Sequence, residues 1–67
     1  MSVAKVTEIV ASSTTSFEDA IVKGIARANK TLANLRGAWI AEQKVKIDKG
    51  KITEYRVTMR VTFVLKD

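Results

Sequence analysis

The chain has 67 residues, no Cys, no His, a formal charge of +5 and 46% hydrophobic residues. Such a length suits one domain with a small core, and the missing residue types remove disulfides, a zinc-type site and the usual players of nucleophilic and acid-base catalysis, so no enzyme is expected. Oligomerisation is the remaining way to add burial, and part of the apolar surface is expected to face other copies.

The first segment, Val3 to Val10, is rich in β-branched residues and reads as a strand, with the Ser12–Ser16 hydroxyl cluster behind it as a loop. From Ser16 to Leu35 the residues Phe17, Ala20, Ile21, Gly24, Ile25, Ala28, Leu32 and Leu35 recur at spacings of three and four, which predicts a helix with one apolar face. Ser16 is the expected N-cap with Asp19 three residues on, and Thr15 with Glu18 offers a capping box one residue earlier. Gly24 in the apolar face costs roughly 1 kcal/mol of helix propensity relative to Ala, so a strand is expected to lie close against it. Gly37 is read as the helix stop.

Ala38 to Ile47 then reads as a second strand, and Asp48-Lys49-Gly50-Lys51 as a hairpin turn with Gly50 available for positive φ. In the third strand, Ile52 to Leu65, the residues Thr53, Tyr55, Val57, Met59, Val61, Phe63 and Leu65 share one face, which should pack on the helix. No linker or repeat divides the chain. The expected fold is α+β: a single β-α-β-β domain over residues 1–67, with a three-stranded antiparallel sheet wrapped around one helix.

No run reaches the ~20 apolar residues of a membrane span, and no basic stretch followed by an apolar block opens the sequence, so a cytoplasmic protein without a membrane partner is expected. Lys44, Lys46, Lys49 and Lys51 gather at the hairpin, and Lys23, Arg27, Lys30 and Arg36 on or just beyond the helix. Acidic residues interrupt both groups, which favours a solvated basic surface. Nucleic acid ranks last among partners because Phe17, Trp39, Tyr55 and Phe63 are the only aromatics for stacking, and most of them are needed for packing.

The blocks K-V-T-E-I-V, S-F-E-D-A-I, A-R-A-N-K-T-L-A-N-L-R, the E-Q pair, D-K-G-K and Y-R-V-T-M-R-V-T-F-V-L together resemble a dodecin over nearly the whole chain without a gap. The resemblance implies a sheet wrapped around a helix and a homododecamer that closes into a hollow shell. It also implies flavins (riboflavin, FMN or FAD) bound as stacked pairs between subunits, for storage or sequestration rather than turnover. In flavin-binding members a Trp follows the L-R pair and a Gln sits between the Tyr and Val of the last strand. Here those positions are Gly37 and Arg56.

The single Trp, Trp39, lies two residues beyond Gly37, a displacement of about 7 Å along one strand face, and is a candidate replacement platform. A two-residue Lys49-Gly50 turn would set Trp39 beside the face of Arg56 and Thr58, whereas a three-residue loop would turn it toward the core. Arg56 could stack on a flavin or hydrogen-bond it, or serve as a solvated or subunit-bridging charge. Glu42 and Gln43 match the family's E-Q pair and are read mainly as supports of the assembly, with Gln43 kept as a candidate flavin contact. The alternative function is a shell of the same architecture that does not bind flavin and takes a metal ion or a coenzyme A-like nucleotide.

Overall fold

Alternating apolar residues make the C-terminal strand the centre of the fold. A computed structural model of the protein describes residues 3–65 as β1 (Val3–Ser13), α1 (Phe17–Ala28), β2 (Leu35–Asp48) and β3 (Lys51–Leu65). The sheet is antiparallel with order β1-β3-β2, so β3 is paired on both sides. Its odd positions Val57, Met59 and Val61 are buried, and with Ala20 they form the core under α1. Ile9 and Ala11 of β1 and Phe17, Ile21 and Ile25 of α1 pack around them. The expected β-α-β-β arrangement is therefore the observed one, and α1 rests on β1 and β3.

The helix starts where its cap places it. The Ser16 hydroxyl accepts from the Asp19 N–H at 3.0 Å, so Ser16 is the cap and the Thr15–Glu18 pairing is not used. Asp19 also accepts from the Ser13 hydroxyl at 2.6 Å and pairs with Lys23 at 3.0 Å. The helix ends earlier than the spacing predicts, at Ala28 with Asn29 as C-cap, rather than at Leu35. Asn29 and Thr31 have modest helix propensity, and Lys30 and Thr31 donate to carbonyls three residues back, tightening the last turn. Asn34 then adopts φ 60°, and its carbonyl accepts from the Val64 N–H at 3.1 Å. Leu35 thereby joins the sheet opposite Phe63, so Gly37 lies inside β2 instead of ending the helix.

β1 likewise runs through Ser12 and Ser13, beyond the expected end at Val10. The hydroxyls that read as a loop are absorbed there: Ser13 is buried, donates to Asp19 and accepts from the Thr15 N–H at 2.9 Å. The hairpin has the two-residue turn Lys49-Gly50, both at positive φ, as a type I′ turn requires.

Gly24 sits where a strand does press on the helix. A Cβ there would meet Met59 Cε at 2.7 Å and Ala11 Cβ at 2.8 Å. Gly24→Ala gains about 1 kcal/mol of helix propensity but overpacks a site closed on one side by the Ala11 Cβ, which has no rotamer to yield, at about 1–3 kcal/mol. The expected net result is a lower urea midpoint; an unchanged or higher midpoint would show that α1 can lift off the sheet at little cost. The Ser13 hydrogen bond, followed by the Lys23 contact, lowers the pKa of Asp19. A depressed carboxylate contributes stability above its unfolded pKa of about 4, and that contribution is lost as pH falls through the lowered folded value. Asp19→Asn should therefore flatten the acid side of the stability–pH curve, measured as urea midpoint against pH, without altering its slope above neutrality.

Candidate functional site

Burying the odd positions of β3 turns its even positions to the opposite, helix-free face of the sheet. Cross-strand pairing extends that face over all three strands. Val6, Thr62 and Gly37 form one row; Glu8, Arg60 and Trp39 the next; then Val10, Thr58 and Glu42; then Ser12, Arg56 and Lys44. Trp39 thus stands on the outward face, 45% exposed, directly opposite Arg60. Packing inside the chain's own core is ruled out for it.

Register explains which candidates meet. The ladder between β2 and β3 shifts at three places: at Lys46/Ile47, where Thr53 is left unpaired, at Ile40/Glu42, where Ala41 is left unpaired, and at Leu35/Gly37, where Arg36 is left unpaired. The Thr53 hydroxyl donates to the Lys46 carbonyl at 3.3 Å beside the first bulge. The Thr53 and Ala41 insertions fall on opposite strands, so their effects on facing cancel by Trp39, and the turn's odd-to-even pairing returns there. Between them the pairing is inverted. Gln43 lies opposite Val57 and hence on the helix side of the sheet, while Glu42, Lys44 and Lys46 face outward.

Of the four sequence candidates, Gly37 and Trp39 come together. Gly37 leaves a side-chain-free notch next to the indole, floored by Thr62, whose hydroxyl donates to the Gly37 carbonyl at 3.1 Å. Arg56 shares the outward face but lies four residues along β3 from Arg60, roughly 13 Å away, and its Nη2 is held by Glu54 at 2.7 Å. Gln43 is on the other side. The residue that sequence reasoning missed is Arg60. It occupies the position opposite Trp39, and its Nε donates to Glu8 Oε2 at 3.2 Å. No motif marks it: a two-residue turn alone would pair positions 39 and 60, and that pairing holds only because the Thr53 and Ala41 insertions cancel.

Two concave surfaces lie on the helix side. A groove of about 590 Å³ runs between α1 and β1 over Ile9, Ala11, Gly24, Ala28 and Leu32, with Lys23 and Arg27 at its rim. A smaller one, about 260 Å³, lies between Ile25, Leu35, Ala38 and Val61. Among the described residues, no three acidic side chains converge as a metal site would require, and no helix is long and apolar enough to cross a membrane.

The Dodecin family model matches residues 3–66. Calcium dodecin of Mycobacterium tuberculosis is 39% identical over 67 residues, covering 98% of this chain and 93% of that protein. Among solved structures, dodecin from Streptomyces davaonensis superposes with a TM-score of 0.93 at 36% identity, covering 98% of this chain and 97% of the other. A Thermus thermophilus dodecin variant gives 0.94 at 34% identity with full coverage of both chains.

Proposed function

Because this chain belongs to the dodecin family, we propose that it is a non-catalytic flavin-binding protein, storing or sequestering riboflavin, FMN or FAD in a hollow cytoplasmic homododecamer of single-domain subunits. The observation that carries this reading is the half-exposed indole of Trp39 on a sheet face that no helix covers, next to the empty position of Gly37. A planar ring lying in that notch would stack on the indole and cover Thr62. Arg56 and Gln43, which face away from the notch or lie far along the strand, would reach such a ring only from a neighbouring copy. Self-association is supported by the apolar residues left in water, among them Ile40, Ile47 and Ile52 on the hairpin arm.

A second reading, a calcium-binding shell, is favoured by the name of the mycobacterial relative. Within one chain Glu8, Asp19 and Glu54 are each paired with a cation, and among the described residues no three acidic side chains converge on one point. Calcium prefers six to eight oxygen ligands, so such a site would have to be assembled from several copies. Titration with riboflavin, followed by fluorescence quenching, and with calcium, followed by calorimetry, separates the two readings.

Stacking on an aromatic ring contributes ~1–3 kcal/mol, and each 1.4 kcal/mol is tenfold in affinity. Trp39→Ala should therefore weaken riboflavin or FMN binding roughly ten- to a hundredfold while the assembly elutes unchanged on size exclusion. Unchanged binding by an intact assembly would remove Trp39 as the platform, and a dissociated assembly would make it an interface residue. A shell of copies each carrying +5 should also hold together as salt is raised and loosen at low ionic strength, where repulsion is least screened. Dissociation at high salt, seen by native mass measurement, would contradict a hydrophobically sealed shell.

A further inference from the structure

Arg60 is the cation placed across the ladder from Trp39, and its environment differs from that of Arg56 in a way that bears on binding. Directly opposite residues on one sheet face have Cβ atoms about 4.5–5.5 Å apart, so the Arg60 and Trp39 side chains leave the outward face side by side, the guanidinium drawn toward Glu8 on β1. A guanidinium carries five N–H donors in a rigid plane. Arg60 commits Nε to Glu8, and among the described residues its Nη groups make no hydrogen bond. Arg56 instead commits Nη2 to Glu54.

The Glu8–Arg60 pair is also about half exposed on both sides, where an ion pair adds little to stability. Its effect is orientational: a carboxylate on β1 takes the Nε side of the fork. The Nη edge is left for a third group on a surface that already holds an indole and the Gly37 notch.

We propose that Arg60, held by Glu8, is the hydrogen-bonding contact for the carbonyl edge of a flavin ring stacked on Trp39. The inference rests on the flavin reading above and assigns that ring a polar partner in the same chain, in place of the Gln that the family resemblance leads one to expect at Arg56. Arg60 is a binding residue in this account, and Glu8 a positioning residue that acts through it. A planar heteroaromatic with a carbonyl acceptor at its edge is the ligand class such a pair recognises.

The test uses riboflavin fluorescence quenching on the whole assembled protein, with size exclusion on each variant. Losing a charge-assisted hydrogen bond should weaken binding about tenfold or more in Arg60→Ala. Arg60→Lys, which keeps the charge but loses the planar fork, should show most of that loss. The deciding variant exchanges the pair, Glu8→Arg with Arg60→Glu: the ion pair is restored, but the cation moves to β1, one strand farther from Trp39. Assembly should survive the exchange and riboflavin affinity should not. Lys30→Ala, which removes one distant exposed charge, should bind as the parent does. If the exchanged protein binds like the parent, Arg60 acts only through the ion pair and the inference is overturned. If Trp39→Ala loses binding while Arg60→Ala and Arg60→Lys keep it, the inference fails and the flavin reading stands. Failure of the parent protein to quench riboflavin at all overturns both.

Discussion

The close approach of α1 to the sheet at Gly24 is the contact on which the remaining geometry depends. With Met59 Cε and Ala11 Cβ occupying the space that a side chain would need, the helix axis is held against β1 and β3 at a distance only glycine permits. That contact commits Val57, Met59 and Val61 to the inside and therefore Arg56, Thr58 and Arg60 to the outside. Side-chain period in a strand is two, so a one-residue slip of β3 would bring an arginine under the helix. The burial of an unpaired guanidinium makes such a slip prohibitively costly. The outward face is thus fixed by what the inward face must exclude.

The same contact leaves β2 uncovered. α1 rests on β1 and β3, and nearly every residue of β2 stays exposed along a molecule 52 × 19 × 13 Å in extent. Beyond the helix the β2–β3 hairpin is a two-stranded ribbon, which is marginal in water by itself. Its apolar residues and the open edges of β1 and β2 are surfaces that a soluble chain ordinarily covers. Among the described residues five buried hydrophobic side chains make a small core, so the burial this chain lacks internally is the physical argument for association with copies of itself.

The parts of this fold that were legible in the sequence are those governed by local chemistry. Ser16 caps the helix because its hydroxyl reaches an N–H three residues on, and the Val57–Met59–Val61 face follows from strict alternation. Gly24 announced a close neighbour because a mid-helix glycine needs a compensating contact. The helix end was not legible, since Leu32 and Leu35 continue the helical spacing by coincidence. What stops the helix is distant: Val64 donates to the Asn34 carbonyl, and pairing with β3 draws Leu35 into the sheet. Ser12 and Ser13 were equally opaque, because a serine reads as a loop residue until a partner such as Asp19 is in place.

The candidate site divides along the same line. Gly37 and Trp39 are two apart on one strand, so their shared face could be read from spacing. The partner across the ladder could not, because it depends on whether insertions in the two strands balance. Thr53 adds a residue to β3 and Ala41 adds one to β2, and the two corrections cancel before Trp39 is reached. With Thr53 alone, the indole would turn toward the helix side, where Ile40 now sits; with both, it meets Arg60 and Gln43 is the residue turned inward. Neither bulge leaves a compositional mark, since Ala and Thr are ordinary strand neighbours. The polar environment of the single indole is therefore a property of the whole hairpin, set jointly by its turn and by the Thr53 and Ala41 insertions, of which the turn and Thr53 lie far from every residue that borders the notch.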